Sequence, residues 1–188
     1  MSLTIIIILV LVVLIALWLV SIYNSLVRLR NGREQAFADI DVQLQQRHDL
    51  IPNLVSTVKG YANHESETLN KITQARAAAM SATSINDKIQ AEQQLGQALA
   101  NLKVSVEAYP ELKANQNFLE LQEELSDIEN KLAAVRRFFN SVTKDYNTQV
   151  QSFPANLIAG SFGFHKESMF EISADERATV TKAPEVQF

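Results

Sequence analysis

An uncharged apolar run, LTIIIILVLVVLIALWLVSI, occupies residues Leu3 to Ile22. A helix of about twenty such residues crosses a hydrocarbon core of roughly 30 Å. Trp18 and Tyr23 lie near one end of the run, where aromatic rings favour the membrane interface. The alternative, a cleaved signal peptide, fits poorly, because there is no basic n-region, the run is too long and no small-x-small cleavage site follows. Residues 1–22 are therefore predicted to be a retained anchor, with the lipid bilayer as a partner through residues 3–22.

The charges that flank this run predict its orientation. On one side the sequence offers Met1 and Ser2, and on the other it offers Arg28, Arg30 and Arg33. Arginine and lysine are enriched on the cytoplasmic side of membrane spans. A single-pass protein is predicted, with its N-terminus outside and its main domain in the cytoplasm.

The composition excludes several classes of protein. The 188 residues carry 17 basic and 21 acidic side chains, a net charge of -4, which argues against nucleic acid as a partner. There is no cysteine, so disulfides, thiolate nucleophiles and Cys-ligated zinc are excluded. Five glycines and four prolines are few for this length, which favours long helices over a turn-rich β fold.

Heptad periodicity is clearest in the segment 115–151. Apolar residues follow one another there in alternating steps of three and four, as in a coiled coil. A helix over this segment would be about 55 Å long and would have to bury its apolar stripe against partners of similar length. The stripe consists of Phe118, Leu121, Leu125, Ile128, Leu132, Val135, Phe139, Val142 and Tyr146.

Two further apolar stripes predict helices over 85–109 and 23–80. Pro110 ends the former, Ser84 or Asn86 could cap its start, and Glu92 interrupts its stripe. The latter stripe keeps its phase through Pro52, which favours a kinked but continuous helix in which the His48 carbonyl loses its usual donor. A break at residues 50–52 is the alternative. The count is three long helices, or four if the first breaks or if 66–80 stands apart.

Together these patterns predict an all-α protein, in which an N-terminal transmembrane helix precedes an elongated antiparallel bundle over 23–152. Residues 171–188 are expected to be a polar tail. Residues 153–170 are rich in glycine and aromatics and have no helical period. They are either a strap packed along the bundle or a contact with a neighbouring subunit or the membrane surface. The candidate contact residues are Phe153, Pro154, Leu157, Ile158, Phe162 and Phe164.

A search for reactive constellations predicts no enzyme, no metal and no cofactor. Neither His48 nor His64 has an acidic residue three positions earlier, as a di-iron bundle would need. No HExxH motif, nucleophile elbow or phosphate-binding loop is present in the sequence. The most distinctive polar stretch is RHDLIPNLV at 47–55, interpreted as a polar patch at a bend that binds a neighbouring helix or a partner. Its candidate interaction or kink residues are Arg47, His48, Asp49, Pro52 and Asn53.

Five ordered blocks resemble the LemA family of bacterial membrane proteins. After the apolar run they are YNSLVRLRNG (23–32), FADIDVQLQQRHDLIPNLVSTVKGYANHE (37–65), EAYPELKANQNFLELQEEL (107–125), DYNTQVQSFPANLIAGSFGF (145–164) and the pair Phe170-Glu171. The resemblance implies a small bacterial membrane protein with a helical-bundle domain, no known enzymatic activity and no agreed biochemical function; the expected location is the bacterial inner membrane. One branch of the family occurs in magnetosome-forming bacteria, which suggests membrane-organising roles. Phe37, Gln46 and Gly32 depart from the family pattern, where tryptophan, a base and a better helix former are expected.

Three functional hypotheses follow from these patterns. The first is a non-enzymatic, membrane-anchored scaffold that self-associates into a homo-oligomer, because tethering raises the local concentration for lateral assembly. The second is an adaptor in envelope signalling or membrane-protein quality control that binds another membrane protein. The third, an enzyme or metal protein, is disfavoured by the missing constellations.

Overall fold

The computed structural model describes residues 3–62 and 65–170. These residues form α1 (Leu3–Tyr61), α2 (Ser66–Ser81), α3 (Ile85–Val106), α4 (Pro110–Lys113) and α5 (Gln116–Gln151), followed by two 3₁₀ turns at Ala155–Leu157 and Gly160–Phe162. An extended stretch then runs to Phe170. The predicted all-α bundle with an extended C-terminal segment is confirmed. The polar tail expected at 171–188 lies outside the described residues.

Helix α1 joins the apolar run to the bundle without interruption. It contains 59 residues, which corresponds to about 88 Å at 1.5 Å per residue. Its first part exposes its side chains and is long and apolar enough to cross a membrane. From Ile22 onward, buried side chains recur along one face, which packs mainly against α5.

Three apolar clusters follow one another along the elongated bundle, which we call the rod. The basal cluster lies beside the end of the apolar run and joins α1 to the C-terminal end of α5. The middle and distal clusters follow, and the distal cluster also includes α2, α3 and α4. Because later residues of α1 meet earlier residues of α5, the two helices are antiparallel. The basal cluster contains Ile22, Leu26, Tyr146, Val150, Ala155, Ala159 and Phe164; the middle cluster contains Phe37, Ile40, Leu44, Ile128, Leu132, Phe139 and Phe170; and the distal cluster contains Ile51, Leu54, Val58, Ile72, Leu95, Leu102, Leu112 and Phe118.

The segment predicted as one helix over 23–80 forms two helices, and the division does not fall at Pro52. Helix α1 continues through Pro52 to Tyr61, and α2 begins at Ser66. The phase of the stripe could not reveal this division, because Ala62 and Leu69 are seven residues apart and both bury in the distal cluster. The segment that was expected to stand apart if the count were four is thus a separate helix, α2.

Side-chain caps define where α3 and α5 begin. Ser84 Oγ accepts a hydrogen bond from the Asp87 amide at 3.0 Å, and Asn115 Oδ1 accepts one from the Phe118 amide at 3.0 Å. Each bond satisfies one of the amides that a first helical turn leaves without a partner. At the other end, α3 stops at Val106 instead of the expected residue 109, and Pro110 opens α4.

Candidate functional site

A buried guanidinium lies between the middle and distal clusters. The Arg47 side chain is 1% exposed. Its two terminal nitrogens donate to different carboxylates, Nη2 to Glu92 of α3 and Nη1 to Glu129 Oε1 of α5 at 2.6 Å. Glu92 is buried as well, whereas Glu129 is 44% exposed. Arg47 thus joins three helices through charge, at the level where the apolar packing changes from one cluster to the next.

The neighbouring His48 completes this buried network. Its Nε2 lies 2.7 Å from Glu92 Oε1. Burial, followed by the positive charges of Arg47 and Arg76, lowers the pKa of His48 to about 4. The ring is therefore neutral at pH 7, and because the carboxylate can only accept, the proton of the neutral ring resides on Nε2. Glu92 thereby receives a hydrogen bond on each of its oxygens.

Pro52 releases a backbone acceptor that α2 uses. A proline inside a helix has no N–H to offer the carbonyl four residues earlier, which here is that of His48. Arg76 Nε of α2 donates to this carbonyl at 2.8 Å. A buried carbonyl without a donor is unfavourable, so the bond from α2 explains how α1 passes through Pro52 while keeping its helical form.

The residues expected to form one polar patch around Pro52 point in two directions. Arg47 and His48 face inward and are buried, and Arg47 binds neighbouring helices, one of the alternatives expected for this patch. Asp49, Pro52 and Asn53 are exposed, and Asp49 accepts a hydrogen bond from Gln45 at 2.9 Å. The difference arises because the helix turns by about 200° between Arg47 and Asp49. Glu92 and Glu129 were missed as partners, although Glu92 had been noted as a polar interruption of its stripe.

A shallow cavity of about 110 Å³ opens beside the buried network. His48 and Glu92 form part of its wall. Lys88 Nζ and Asp41 Oδ1, which are 2.7 Å apart, contribute to its lining as well. The charges around the cavity are thus largely paired with one another. In residues 3–62 and 65–170, no group of three His, Asp or Glu side chains could hold a metal ion.

Two asparagines on α5 hold the extended C-terminal stretch by its backbone. Asn147 accepts from the Glu167 amide at 2.8 Å and donates to the Glu167 carbonyl at 2.9 Å. Asn140 makes the same pair of bonds to Phe170, each at 2.9 Å. Since Asn140 and Asn147 are seven residues apart, both amides lie on one face of α5. The stretch 164–170 is therefore a strap along the bundle; neither asparagine had been singled out from the sequence.

Aromatic and charged side chains hold the end of this strap against the bundle. The Phe170 ring packs edge-on against Phe139 at 5.7 Å and stacks with Phe37 at 6.5 Å. Arg33, expected to influence topology, is buried beside Phe139. Its Nη2 lies 3.4 Å from a Glu167 carboxylate oxygen. Arg33 thus ties the strap to α1, whatever its effect on membrane insertion.

The segment 153–164 forms the foot of the bundle. Of the candidate contact residues there, Phe164 is buried in the basal cluster and Pro154 and Ile158 are half-buried. The remaining three are the most outward-facing: Phe153 is 78% exposed, Leu157 69% and Phe162 57%. We call these three side chains the foot patch.

The foot patch lies at the level where the apolar run ends. The Phe162 and Phe164 rings pack edge-on against Tyr23, at 5.3 and 5.7 Å. Arg28 and Arg30 are both exposed a turn or two further along α1, and the Arg30 guanidinium lies 5.1 Å from the Phe164 ring. The basic residues and the exposed apolar residues therefore occupy the same end of the bundle.

An elongated helical bundle that includes one helix able to cross a membrane is the class of protein that the described residues define. The family model of LemA matches residues 36–188, and the chain belongs to the LemA family.

Individual relatives agree with this assignment. Protein LemA of Metamycoplasma hominis is 28% identical over 159 residues, covering 84% of this chain and 72% of the relative. Two magnetosome proteins, MamQ 2 of Paramagnetospirillum magneticum and MamQ of Magnetospirillum gryphiswaldense, are each 23% identical, covering 79% of this chain. The chain spans 64% of the length of these magnetosome relatives. None of these names states an enzymatic activity.

Proposed function

We propose that this protein is a non-enzymatic, membrane-anchored scaffold that self-assembles in the plane of a bacterial inner membrane. The observation that carries the proposal is the continuity of α1, which runs from the apolar segment into the bundle as one helix. From Tyr23 to Tyr61 it rises by about 58 Å. A bundle joined to its anchor by a helix keeps its distal end at a fixed distance from the end of the anchor, which a flexible linker would not do.

Packing in the basal cluster supports a stiff connection between the apolar run and the bundle. Leu26, one turn beyond Ile22, is fully buried against the C-terminal end of α5. The bundle therefore begins to pack at the residue where the apolar run ends. An anchored rod of this kind diffuses in two dimensions with its sides facing its neighbours, so weak lateral contacts suffice for assembly.

Exposed apolar side chains on the rod are candidates for lateral contacts. Apart from the foot patch, four large apolar side chains beyond the apolar run are more than half exposed among the described residues: Val42, Val104, Leu119 and Phe138. Phe138 lies on α5, near the middle of the rod. The likeness to magnetosome proteins further supports a role in organising membranes.

The mass of the particle tests self-assembly. We expect the protein purified in mild detergent to form a defined oligomer at micromolar concentration, measured by light scattering and imaged for symmetry. Phe138→Asp is expected to shift the particle towards the monomer. Asn130→Asp, which places the same charge at an exposed polar position of α5, serves as the matched control. A strict monomer for the parent protein refutes self-assembly.

The orientation is part of the proposal. Arg28 and Arg30 support a cytoplasmic bundle through the positive-inside tendency. A reporter that is active only in the cytoplasm, fused after Phe188, should be active. Replacing both arginines with glutamine should reduce that activity, whereas an inactive parent fusion contradicts the proposed topology.

An adaptor for another membrane protein is the second candidate, favoured by the strap. Asn140 and Asn147 recognise an extended segment through its backbone, which is one way to bind a segment of another protein. Proximity labelling in cells separates the two candidates. Labelling dominated by copies of the protein supports the scaffold, and one dominant foreign partner supports the adaptor.

A further inference from the structure

The foot patch is held in an outward-facing conformation by the segment that carries it. Ala155, Ala159 and Phe164 are buried in the basal cluster, so they fix the backbone on which Phe153, Leu157 and Phe162 are mounted. The amide of Ala159 donates to the Ala155 carbonyl at 2.8 Å, and that of Phe164 to the Ala159 carbonyl at 2.9 Å. The exposed side chains therefore cannot turn inward without breaking the basal cluster.

The chemistry of the foot suits the boundary between headgroups and acyl chains. Residues 152–164, SFPANLIAGSFGF, contain no charged side chain, so the segment can approach hydrocarbon without desolvating an ion. Aromatic rings favour the interfacial layer. Arg28 and Arg30 lie at the same end of the bundle, where guanidinium groups can meet anionic headgroups.

The position of the foot patch favours lipid as its binding partner. Phe162 contacts Tyr23, the residue that follows the apolar run. If residues 3–22 span the bilayer, Tyr23 lies at the interface and the foot patch lies at the same height. We propose that the foot patch inserts into the interfacial layer of the bilayer that α1 crosses, as a second membrane contact. This inference rests on the proposed membrane anchoring.

A second contact changes what the anchor can do. A single transmembrane helix leaves its domain free to rotate about the helix axis and to tilt. Interfacial aromatic and basic residues set tilt and rotation. With the foot patch in the lipid, the bundle has a defined face towards the membrane and its sides are presented in a fixed direction.

Quenching of tryptophan by lipid tests this contact. The chain contains one tryptophan, Trp18, so Trp18→Phe gives a background without tryptophan. In that background Phe162→Trp places a probe in the foot patch, and Phe138→Trp is the matched control because both phenylalanines are 57% exposed. Each full-length variant is reconstituted into phosphatidylcholine–phosphatidylglycerol vesicles whose acyl chains are brominated near the headgroup.

We expect the Phe162→Trp variant to lose most of its emission in brominated vesicles, whereas the Phe138→Trp variant should be unquenched. An unquenched probe at 162 overturns the inference, and a blue-shifted but unquenched probe assigns the patch to contact with a second copy. Leu157→Trp gives an independent readout if the 162 variant loses its helical circular dichroism.

The parent protein separates this inference from the one on which it rests. Trp18 should be quenched strongly by lipids brominated in the acyl chains, because it lies within the proposed span. An unquenched Trp18 refutes membrane anchoring itself. A quenched Trp18 with an unquenched probe at 162 refutes the second contact alone.

Discussion

Removal of the Glu92 carboxylate should strongly destabilise the bundle. Glu92 accepts from both Arg47 and His48 in a site where the Arg47 side chain is 1% exposed. Truncating one partner of a buried pair costs about 3–5 kcal/mol, and the lower end of this range applies here because Glu129 still pairs with Arg47. We therefore expect Glu92→Ala to reduce the free energy of unfolding by about this amount, measured by urea denaturation followed by helical circular dichroism.

The second carboxylate on the same guanidinium provides the control. Glu129 is 44% exposed, so Glu129→Ala should cost about 0–1 kcal/mol, as for a surface ion pair. Replacing both buried charges by apolar residues, Arg47→Met with Glu92→Leu, should recover part of the loss, because such replacements are often neutral or stabilising. The recovery is incomplete because His48 Nε2 still lacks its acceptor. Equal costs for Glu92→Ala and Glu129→Ala, or no recovery in the double variant, would refute the buried network.

Three further predictions concern the same elements. Burial lowers the pKa of His48 in the folded protein to about 4 from an ordinary value near 6.5. The neutral ring therefore contributes roughly 3 kcal/mol to the free energy of unfolding. This contribution is complete above pH about 6.5 and is lost as the pH falls towards 4, so His48→Gln should make stability fall less steeply at acid pH. Asn147→Ala should cost about 1–3 kcal/mol by leaving the Glu167 backbone groups without partners, and should speed amide exchange in the strap more than at α3, whereas unchanged exchange would contradict the clamp. Pro52→Ala restores an N–H for the His48 carbonyl, so the helix content should be retained while Arg76→Met becomes less costly than in the parent; an unfolded Pro52→Ala variant would contradict this.

Periodicity predicted the long helices because their stripes repeat over many turns. The alternation of threes and fours in α5 needs a partner face of equal length, and α1 provides it. The boundary between α1 and α2 escaped detection, since residues on both sides bury in the same cluster at heptad spacing. Periodicity reports which face of a segment is buried, whereas the break depends on where the chain turns back.

The candidate sites depended on contacts that are distant in sequence. Glu92 was visible as a polar residue in an apolar stripe, but its partner Arg47 is 45 positions away, and many carboxylates could have matched that guanidinium. The spacing of Asn140 and Asn147 was a usable signal, because two amides repeat at seven residues along α5. Their ligand is the backbone of the strap, which has no side-chain signature in the sequence.

The missing N–H of Pro52 also determines how α2 is aligned along α1. In an uninterrupted helix the backbone carbonyls are already occupied, so a neighbouring helix can slide without losing main-chain hydrogen bonds. Here the His48 carbonyl is vacant within α1 and Arg76 of α2 fills it. A slip of α2 by one turn, about 5.4 Å, would leave both the carbonyl and the guanidinium without this bond. Pro52 thus sets the register of α2 against α1.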